Sequence, residues 1–267
     1  MAASTAAQQA EKKAFDHVSQ LLGRPEVFAE PAGFETAFPD FGFRIYVDKK
    51  PVDIHIEYKA DAKAQMGSMR DWVFDGSRFS TTDSGNENKR DLIDLMNKSP
   101  EALKNAKRLL DDLKKYFDSR VTKLYSGSLT LVTDKKERRA KILSFRDNVE
   151  NYQIAKIDNA QLGAQVITHY KNKFAKSIRR DAAYNVLLMM IGNVIWFVDD
   201  QGTADTALKK AVAERFGISS WSVMTALKAQ LEVRIQPRGL SNPDKPVSID
   251  VMASFRLSGK PTGGSNI

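Results

Sequence analysis

Residues 38–59 read FPDFGFRIYVDKKPVDIHIEYK, and this stretch decides the fold around it. Its second half alternates as a half-buried strand does, with apolar side chains on one face and polar side chains on the other. The apolar set is Val52, Ile54, Ile56 and Tyr58, and the polar set is Asp53, His55, Glu57 and Lys59. Phe43, Ile45 and Val47 alternate before it, and residues 48–51 supply a turn. The pattern predicts an antiparallel hairpin with one charged face.

Two carboxylates and a lysine at one end of this hairpin have the chemistry of a metal-dependent phosphodiesterase. Asp40 precedes the first strand, and Glu57 and Lys59 end the second. Mg²⁺ prefers oxygen ligands and takes one or two carboxylates, with water and substrate phosphate completing its shell. Water on such a metal becomes more acidic, and a nearby lysine can stabilise the charge that develops on phosphorus. We predict Asp40 and Glu57 as ligands of Mg²⁺, for which Mn²⁺ can substitute, and Lys59 as the catalytic cation.

The pattern acid-x-Lys carries no information by itself, because it occurs seven times. The seven pairs are Glu11-Lys13, Asp48-Lys50, Glu57-Lys59, Asp61-Lys63, Glu87-Lys89, Asp112-Lys114 and Asp134-Lys136. Only Glu57-Lys59 ends an alternating strand and has a Pro-Asp pair, Pro39-Asp40, upstream across a predicted hairpin. The alternative interpretation is a surface hairpin whose charged face is simply solvated, since opposite charges on one strand face are common.

The order Pro39-Asp40, then Glu57-Tyr58-Lys59, resembles the motif of the PD-(D/E)xK nuclease superfamily, the restriction-endonuclease-like proteins. The resemblance covers a small part of the chain around the hairpin. It implies that the Asp and the Glu bind the metal and that the Lys assists attack. It also implies a core of a helix, three meandering strands, a second helix and a further strand, with the Asp on the second strand. The first strand would have to come from residues 26–30.

Further residues extend the predicted site or compete for it. Glu35 is a candidate third metal ligand, because a helical acid just before the motif often contacts the metal through water in this superfamily. Gln65, from the next predicted helix, and His55 are candidate accessory residues; histidine suits proton transfer near neutral pH, although a lone strand histidine is more often structural. Asp53 is the alternative first ligand, but it lies about 13 Å from Glu57 along an extended strand, too far for one metal.

Composition limits the classes of function. The chain has 267 residues, 42% hydrophobic and 28% charged, as expected for a globular protein of one large domain or two small ones. It has no cysteine, which excludes disulfides and cysteine-bound metals and fits a cytoplasmic location. We find no secretory signal, membrane-length apolar run, phosphate-binding glycine loop or Gly-x-Ser-x-Gly element, so neither a membrane nor a nucleotide cofactor is expected.

The positive charge is concentrated in the middle of the sequence. The formal net charge is +8, and residues 134–180 contain twelve Lys or Arg and five Asp or Glu. A basic segment of this kind attracts the phosphate backbone of nucleic acids, so we predict DNA as the partner. The predicted contact residues are Lys171, Lys173, Lys176, Arg179, Arg180 and Arg238. For any single lysine the alternative is a solvated helix face.

Periodicity along the rest of the chain predicts an α+β protein. The resemblance implies a restriction-endonuclease-like core, a small mixed sheet flanked by helices, to which basic helices and a C-terminal β-hairpin are added. Expected helices cover residues 6–22, 64–74, 89–97, 101–117, 181–190 and 204–216. Expected strands cover residues 194–198, 231–235 and 247–257, and residues 121–125 and 128–133 are expected to pair as a hairpin around Ser126-Gly127. Residues 1–133 would be the catalytic nuclease core and 134–267 the DNA-binding part, with one compact domain as the alternative.

These features together predict a Mg²⁺-dependent DNA endonuclease that hydrolyses phosphodiester bonds. Analogy with the superfamily favours the restriction or homing type. A DNA exonuclease or recombination nuclease with the same site is the alternative enzyme, and a non-catalytic nucleic-acid-binding protein is the alternative from another class. Cleavage of both strands at a palindrome would favour a homodimer.

Overall fold

The computed structural model describes residues 6–31, 38–85, 87–129, 134, 136–141, 157–201, 206–219, 222–224, 228–238 and 248–267. These form the predicted α+β protein, which divides into two compact units interleaved along the sequence. The first unit combines Met1–Ala64, Gly163–Lys228 and Gly259–Ile267; the second combines Gln65–Leu162 and Ala229–Ser258. The functional boundary at residues 133 and 134 stays a prediction. No helix within the described ranges is both long and apolar enough to cross a membrane.

The helices and strands alternate irregularly along the chain. The helices are α1 (Ala6–Leu21), α2 (Glu87–Asn97), α3 (Pro100–Asp112, continued by a π-helical turn at Leu113–Phe117), α4 (residues 136–141), α5 (Ala160–Ser177) and α6 (Thr206–Arg215). The first nine strands are β1 (Glu26–Ala29), β2 (Phe41–Val47), β3 (Lys50–Lys59), β4 (Gln65–Met69), β5 (Trp72–Phe74), β6 (Phe79–Thr81), β7 (Leu124–Tyr125), β8 (Gly127–Leu129) and β9 (Ile157–Asn159). The remaining strands are β10 (Tyr184–Ile191), β11 (Val194–Gln201), β12 (Ala229–Arg238), β13 (Ser248–Leu257) and β14 (Ser265–Asn266).

The first unit is built on a six-stranded sheet of order β1-β2-β3-β10-β11-β14. β1, β2 and β3 form an antiparallel meander, which confirms the strand expected at residues 26–30. β10 lies parallel to β3, and β11 and β14 continue antiparallel. Parallel neighbours need a crossover connection, and the chain between β3 and β10 includes α5. The first unit therefore presents a helix, three meandering strands, a helix and a parallel strand in that order.

The hairpin predicted from residues 38–59 is confirmed. β2 and β3 pair from Phe41↔Ile56 to Val47↔Lys50. Asp48 and Lys49 reverse the chain with φ of 49° and 65°. The solvated charged face offered as the alternative is wrong, because Asp53 and His55 are completely buried and Glu57 is nearly so. Both faces of the hairpin are therefore covered by other elements.

Helices cover the two faces of the hairpin separately. On the apolar face, Phe15 of α1 lies 5.6 Å from Phe41 and 5.2 Å from Phe43 between ring centroids. α6 adds buried apolar side chains to the same core. On the polar face, Phe174 of α5 meets the ring of His55 edge-on, with 5.1 Å between centroids. The polar face is thus buried by a helix that lies more than a hundred residues further along the sequence.

The helix expected at residues 181–190 is wrong, because these residues contain the central strand β10. All eight side chains of Tyr184–Ile191 are buried. A strand covered on both faces has no apolar–polar alternation, and its Leu and Met residues are good helix formers. Sequence periodicity therefore cannot separate it from a buried helix. The buried strand expected at residues 194–198 is confirmed within β11.

The second unit has a sheet of order β4-β13-β12-β9, with β8 paired to β13, and a small sheet of order β6-β5-β7. β12 and β13 pair along ten residues each, which confirms the C-terminal hairpin. Its tip, residues 239–247, lies outside the described residues. Ser99 caps α3, because its hydroxyl accepts a 3.2 Å hydrogen bond from the backbone N–H of Ala102.

Two predictions in the second unit are wrong. Residues 64–74 contain β4 and β5 rather than a helix, because Gly67 and Asp71 adopt φ of 139° and 63°, which no α-helix accommodates. The predicted strands at residues 121–125 and 128–133 do not pair with each other as far as they are described. Instead β7 pairs with β5, and β8 pairs with β13.

Candidate active site

Asp40, Glu57 and Lys59 lie together at one end of the sheet of the first unit. The Lys59 ammonium donates to Glu57 Oε1 over 2.6 Å and lies 3.9 Å from Asp40 Oδ2. The backbone N–H of Tyr58 donates to the same Asp40 oxygen over 2.8 Å. Side-chain exposure is 6% for Glu57, 16% for Lys59 and 24% for Asp40. The structure therefore brings the three predicted residues into one mostly buried cluster.

The register of the hairpin explains why these positions meet. β2 and β3 pair Phe41 with Ile56, so the next step outward places Asp40 opposite Glu57. Opposite residues of an antiparallel pair have Cβ atoms about 4.5–5.5 Å apart. Lys59 follows Glu57 on the same face after one intervening residue. The spacing of Asp40 and Glu57 in the sequence thus follows from the length of the hairpin.

The electrostatics of the cluster are those of a site with excess negative charge. Burial, and then the neighbouring Glu57 charge, raise the pKa of Asp40 to about 7, although Lys59 and the Tyr58 N–H act in the opposite direction. Burial alone would lower the pKa of Lys59, but the charges of Glu57 and Asp40 outweigh it and leave this pKa raised. Lys59 is therefore protonated at neutral pH, while Asp40 exchanges a proton there.

Tyr170 of α5 belongs to the site, although the sequence did not indicate it. Its ring is fully buried, and its hydroxyl donates a hydrogen bond to Glu57. Burial, and then the carboxylates of Glu57 and Asp40, hold the pKa of this phenol well above its ordinary value, so it acts only as a donor. Tyr170 and Phe174 are four residues apart in a basic segment, and this apolar i,i+4 pair was the signal that one face of α5 is buried.

Glu11 of α1 is the second residue that sequence analysis missed. It is half-buried, and burial raises its pKa, with Lys59 lowering it and Glu57 raising it further. The signal was its position one turn before Phe15, on the face of α1 that carries Val18 and Leu22. A carboxylate in line with an apolar helix face is unusual, and here it lies within electrostatic reach of Lys59.

The side of α5 next to Tyr170 carries two further polar residues. The Lys173 ammonium lies 5.6 Å from the ring centroid of Tyr170 and 5.6 Å from that of Phe38. The ring of His169 meets Tyr170 edge-on at 5.4 Å. Burial, and then the Lys173 charge, lower the pKa of His169. His169 is therefore predominantly neutral at neutral pH.

Asp53 belongs to a different cluster on the same sheet face. Arg44 holds it in a bidentate ion pair, with Nε to Oδ1 at 2.6 Å and Nη2 to Oδ2 at 2.9 Å. Arg44 also donates from Nη1 to Asp181 Oδ2 over 2.6 Å, which ties β2 to the segment before β10. Because both Asp53 oxygens are occupied by Arg44, Asp40 remains the candidate first ligand.

His55 has the surroundings of a packed core histidine. Its Nε2 lies 3.2 Å from Asn185 Oδ1, and the rings of Phe28 and Phe174 meet it edge-on. The Phe28 ring lies directly over Gly42, where any Cβ would come within 2.3 Å of it. Burial lowers the pKa of His55, so the ring is neutral at neutral pH. Among the described residues, no contact joins His55 to Glu57. Its accessory role therefore stays a prediction.

The remaining predicted residues are distributed over the molecule. Glu35 lies outside the described residues. Gln65 starts β4 of the second unit opposite Arg256, so the helix from which it was expected to reach the site does not exist. Arg238 ends β12, and its side chain lies outside the described part.

The predicted DNA-contact residues on and after α5 differ in whether their side chains are exposed or already engaged within the fold. Lys171, Lys176 and Arg180 are exposed, and Lys171 lies 3.8 Å from an Asp199 oxygen. Arg179 is engaged within the fold, because its guanidinium lies 4.8 Å from the Phe28 ring centroid and 3.5 Å from Asp53. The exposed residues leave a positively charged surface on the helix that also supplies Tyr170.

The donor set at the cluster fits a hard divalent cation. Among the described residues, no three His, Asp or Glu side chains form a complete metal cage. Mg²⁺ does not need one, because it keeps several waters and commonly takes one or two carboxylates together with phosphate oxygens. The raised pKa of Asp40 shows that burial and Glu57 disfavour its ionised form. A cation between Asp40 and Glu57 would stabilise both carboxylates.

Comparison with protein-family models, with curated proteins and with solved structures finds no match for this chain.

Proposed function

We propose that the protein is a Mg²⁺-dependent nuclease that hydrolyses phosphodiester bonds in DNA with Asp40, Glu57 and Lys59. The observation that supports this most is that Lys59 contacts both carboxylates within a mostly buried cluster. Burying two carboxylates is costly, and one lysine offsets the cost only in part, since the pKa of Asp40 remains raised. Perturbed ionisable groups of this kind are concentrated at functional sites.

Each residue has a separate role in the proposed reaction. Asp40 and Glu57 would hold the metal, with Glu11 as the helical acid beside them. The bound metal supplies an acidic water and offsets negative charge on the scissile phosphate. Lys59 is protonated and donates to the attacking or non-bridging oxygen. Tyr58 N–H keeps one Asp40 oxygen in place.

A restriction-endonuclease-like core is part of the same proposal. It is supported by the order of elements in the first unit: α1, the meander of β1, β2 and β3, then α5 and the parallel strand β10. This is the order that the sequence resemblance implies, and Asp40 directly precedes the second strand of the meander. The chain of the second unit interrupts this order twice, after β3 and after residue 228.

DNA as the substrate is supported by the exposed lysines on α5. Positive charge beside the site would attract the phosphate backbone and place it over the carboxylates. Within this class we favour a restriction or homing endonuclease, with an exonuclease or recombination nuclease as the alternative. A homodimer is proposed for cleavage of both strands.

Supercoiled plasmid incubated with Mg²⁺, Mn²⁺ or EDTA tests the proposed activity. We expect nicked or linear product with either metal and none with EDTA. Degradation of linear DNA with no attack on the closed circle would indicate an exonuclease. Salt-sensitive binding without metal-dependent cleavage at any protein concentration would instead support a non-catalytic binding protein.

The raised pKa of Asp40 predicts how stability changes with pH. In metal-free buffer this carboxyl keeps its proton up to about pH 7 when folded, but only up to about 3.8 when unfolded. The folded state therefore binds more protons between these values, so stability falls as pH rises through them. Asp40→Asn cannot ionise and removes this loss. We expect the variant to gain about 2 to 4 kcal/mol relative to wild type between pH 4 and pH 8.

Urea denaturation at the two pH values measures this difference. Asp48→Asn at the hairpin turn is the control, because its side chain is exposed and the difference should not change with pH. Added Mg²⁺ should then stabilise wild type at pH 8 and leave Asp40→Asn unchanged. If the stability difference between Asp40→Asn and wild type did not change with pH, the raised pKa of Asp40 would be contradicted.

A further inference from the structure

Lys173 on α5 is a half-buried lysine whose charge has no anionic partner among the described residues. The neighbouring lysines on the same helix are exposed, and one of them has an anionic neighbour. Lys171 is exposed and lies near Asp199, and Lys176 is exposed to solvent. A half-buried ammonium loses part of its hydration, which a counter-ion or an aromatic face can replace. The surroundings of Lys173 therefore need an explanation.

Two aromatic rings hold the Lys173 ammonium in place. It lies 5.6 Å from the centroids of Phe38 and of Tyr170, within the range of cation–π attraction. Phe38 is two residues before Asp40, and the Tyr170 hydroxyl is hydrogen-bonded to Glu57. One of the rings that position Lys173 thus lies in the segment that carries Asp40, and the other is hydrogen-bonded to Glu57.

A substrate strand would bring more negative charge to the site than Lys59 alone can offset. Lys59 is engaged by Glu57 at 2.6 Å and by Asp40 at 3.9 Å, so its charge is largely used within the protein. A nucleic-acid strand brings a further phosphate on each side of the one that is cleaved. Aromatic faces attract an ammonium without occupying its N–H donors as a carboxylate would, and phosphate oxygens are strong acceptors for them.

We propose that Lys173 binds a phosphate of the substrate strand adjacent to the scissile phosphate. This rests on the proposed function, because Asp40 and Glu57 define which phosphate is cleaved. Lys173 is then a substrate-binding residue that sets where the strand lies relative to the carboxylates. The lysine suits this role, since its compact charge and rotatable donors match a single phosphate.

Oligonucleotides that carry one neutral methylphosphonate linkage, moved stepwise along the strand, test the assignment. Binding is measured with Ca²⁺ and single-turnover cleavage with Mg²⁺. In wild type we expect a loss of about tenfold in both when the linkage next to the cleavage point is neutral. Lys173→Met should show that loss on unmodified DNA and no further loss with the neutral linkage. Lys173→Arg should retain most of the binding.

Lys176→Met is the matched control, because it removes the same charge one turn away on the same helix. It should keep the wild-type sensitivity to the neutral linkage. A Lys173→Met protein that remains as sensitive as wild type at every linkage would overturn the proposal. So would a loss of thermal stability with unchanged binding, because this would make the lysine purely structural.

The binding measurements separate this proposal from the proposed activity. If wild type binds but does not cut, the nuclease assignment fails, and with it the description of the contact as adjacent to a scissile phosphate. A single linkage whose neutralisation is silent only in Lys173→Met would still establish the phosphate contact. If cleavage occurs and no linkage behaves in this way, the nuclease assignment stands and the role of Lys173 is wrong.

Discussion

Glu57→Gln is expected to lose cleavage by about 1000-fold or more while keeping its affinity for DNA. Glutamine has the same size but supplies a neutral amide where a hard cation prefers a carboxylate. The substitution also weakens the contact with the Lys59 ammonium, now 2.6 Å from Glu57 Oε1. Metal-assisted charge stabilisation contributes several kcal/mol, and each 1.36 kcal/mol changes the rate tenfold. Single-turnover cleavage of plasmid with Mg²⁺ and affinity measured with Ca²⁺ separate the two effects.

The same hairpin offers a matched control for this experiment. Asp48 and Lys50 repeat the acid-x-Lys pattern at the turn, at the opposite end of β3 from Glu57. Asn tolerates the positive φ of 49° found at Asp48, so Asp48→Asn should fold normally. We expect it to cut at the wild-type rate. Glu57→Gln protein that cuts nearly as fast as wild type with Mg²⁺ would contradict the proposed role of Glu57 as a metal ligand.

Arg44→Met is expected to reduce the free energy of unfolding by about 3–5 kcal/mol. The change leaves the Asp53 carboxylate, which is 0% exposed, without its bidentate partner. Arg179 lies 3.5 Å from one Asp53 oxygen and can offset only part of this loss. Urea denaturation of the metal-free protein measures the effect.

The double variant Arg44→Met, Asp53→Asn shows whether the cause is an unpaired charge. It removes both members of the pair, so we expect it to be more stable than Arg44→Met alone. The two substitutions would then be strongly non-additive. Additive losses would mean that packing around the Arg44 side chain, rather than the buried carboxylate, controls stability at this position.

The hairpin and the meeting of Asp40 with Glu57 could be predicted because both are local. Alternation identified the strands, turn residues located the reversal, and pairing register then placed the two acids opposite each other. The burial of the charged face could not be predicted in this way. The face is buried by α5, which lies much later in the sequence. The alternation of residues 52–59 does not show whether water or a helix covers their polar face.

Glu11 and Tyr170 were missed for the same reason. Each occupies one helix position among several, and only the packing of α1 and α5 on opposite faces of the sheet brings them to the hairpin end. β10 was misread because a central strand loses the alternation on which strand prediction depends. The fold could be inferred where residues close in sequence determine it, and not where distant elements decide which face is covered.

The interleaving of the two units has a consequence for synthesis on the ribosome. β3 carries Glu57 and Lys59, but its neighbour β10 and the Tyr170 helix follow only after residues 65–162, and β14 pairs with β11 near the last residue. Pairings between such distant segments form slowly, because a long loop must close first. The nascent chain therefore keeps the polar face of the β2–β3 hairpin uncovered until α5 has been made. The proposed cleavage activity should appear only after β10, β11 and β14 have been made, when the sheet of the first unit can close.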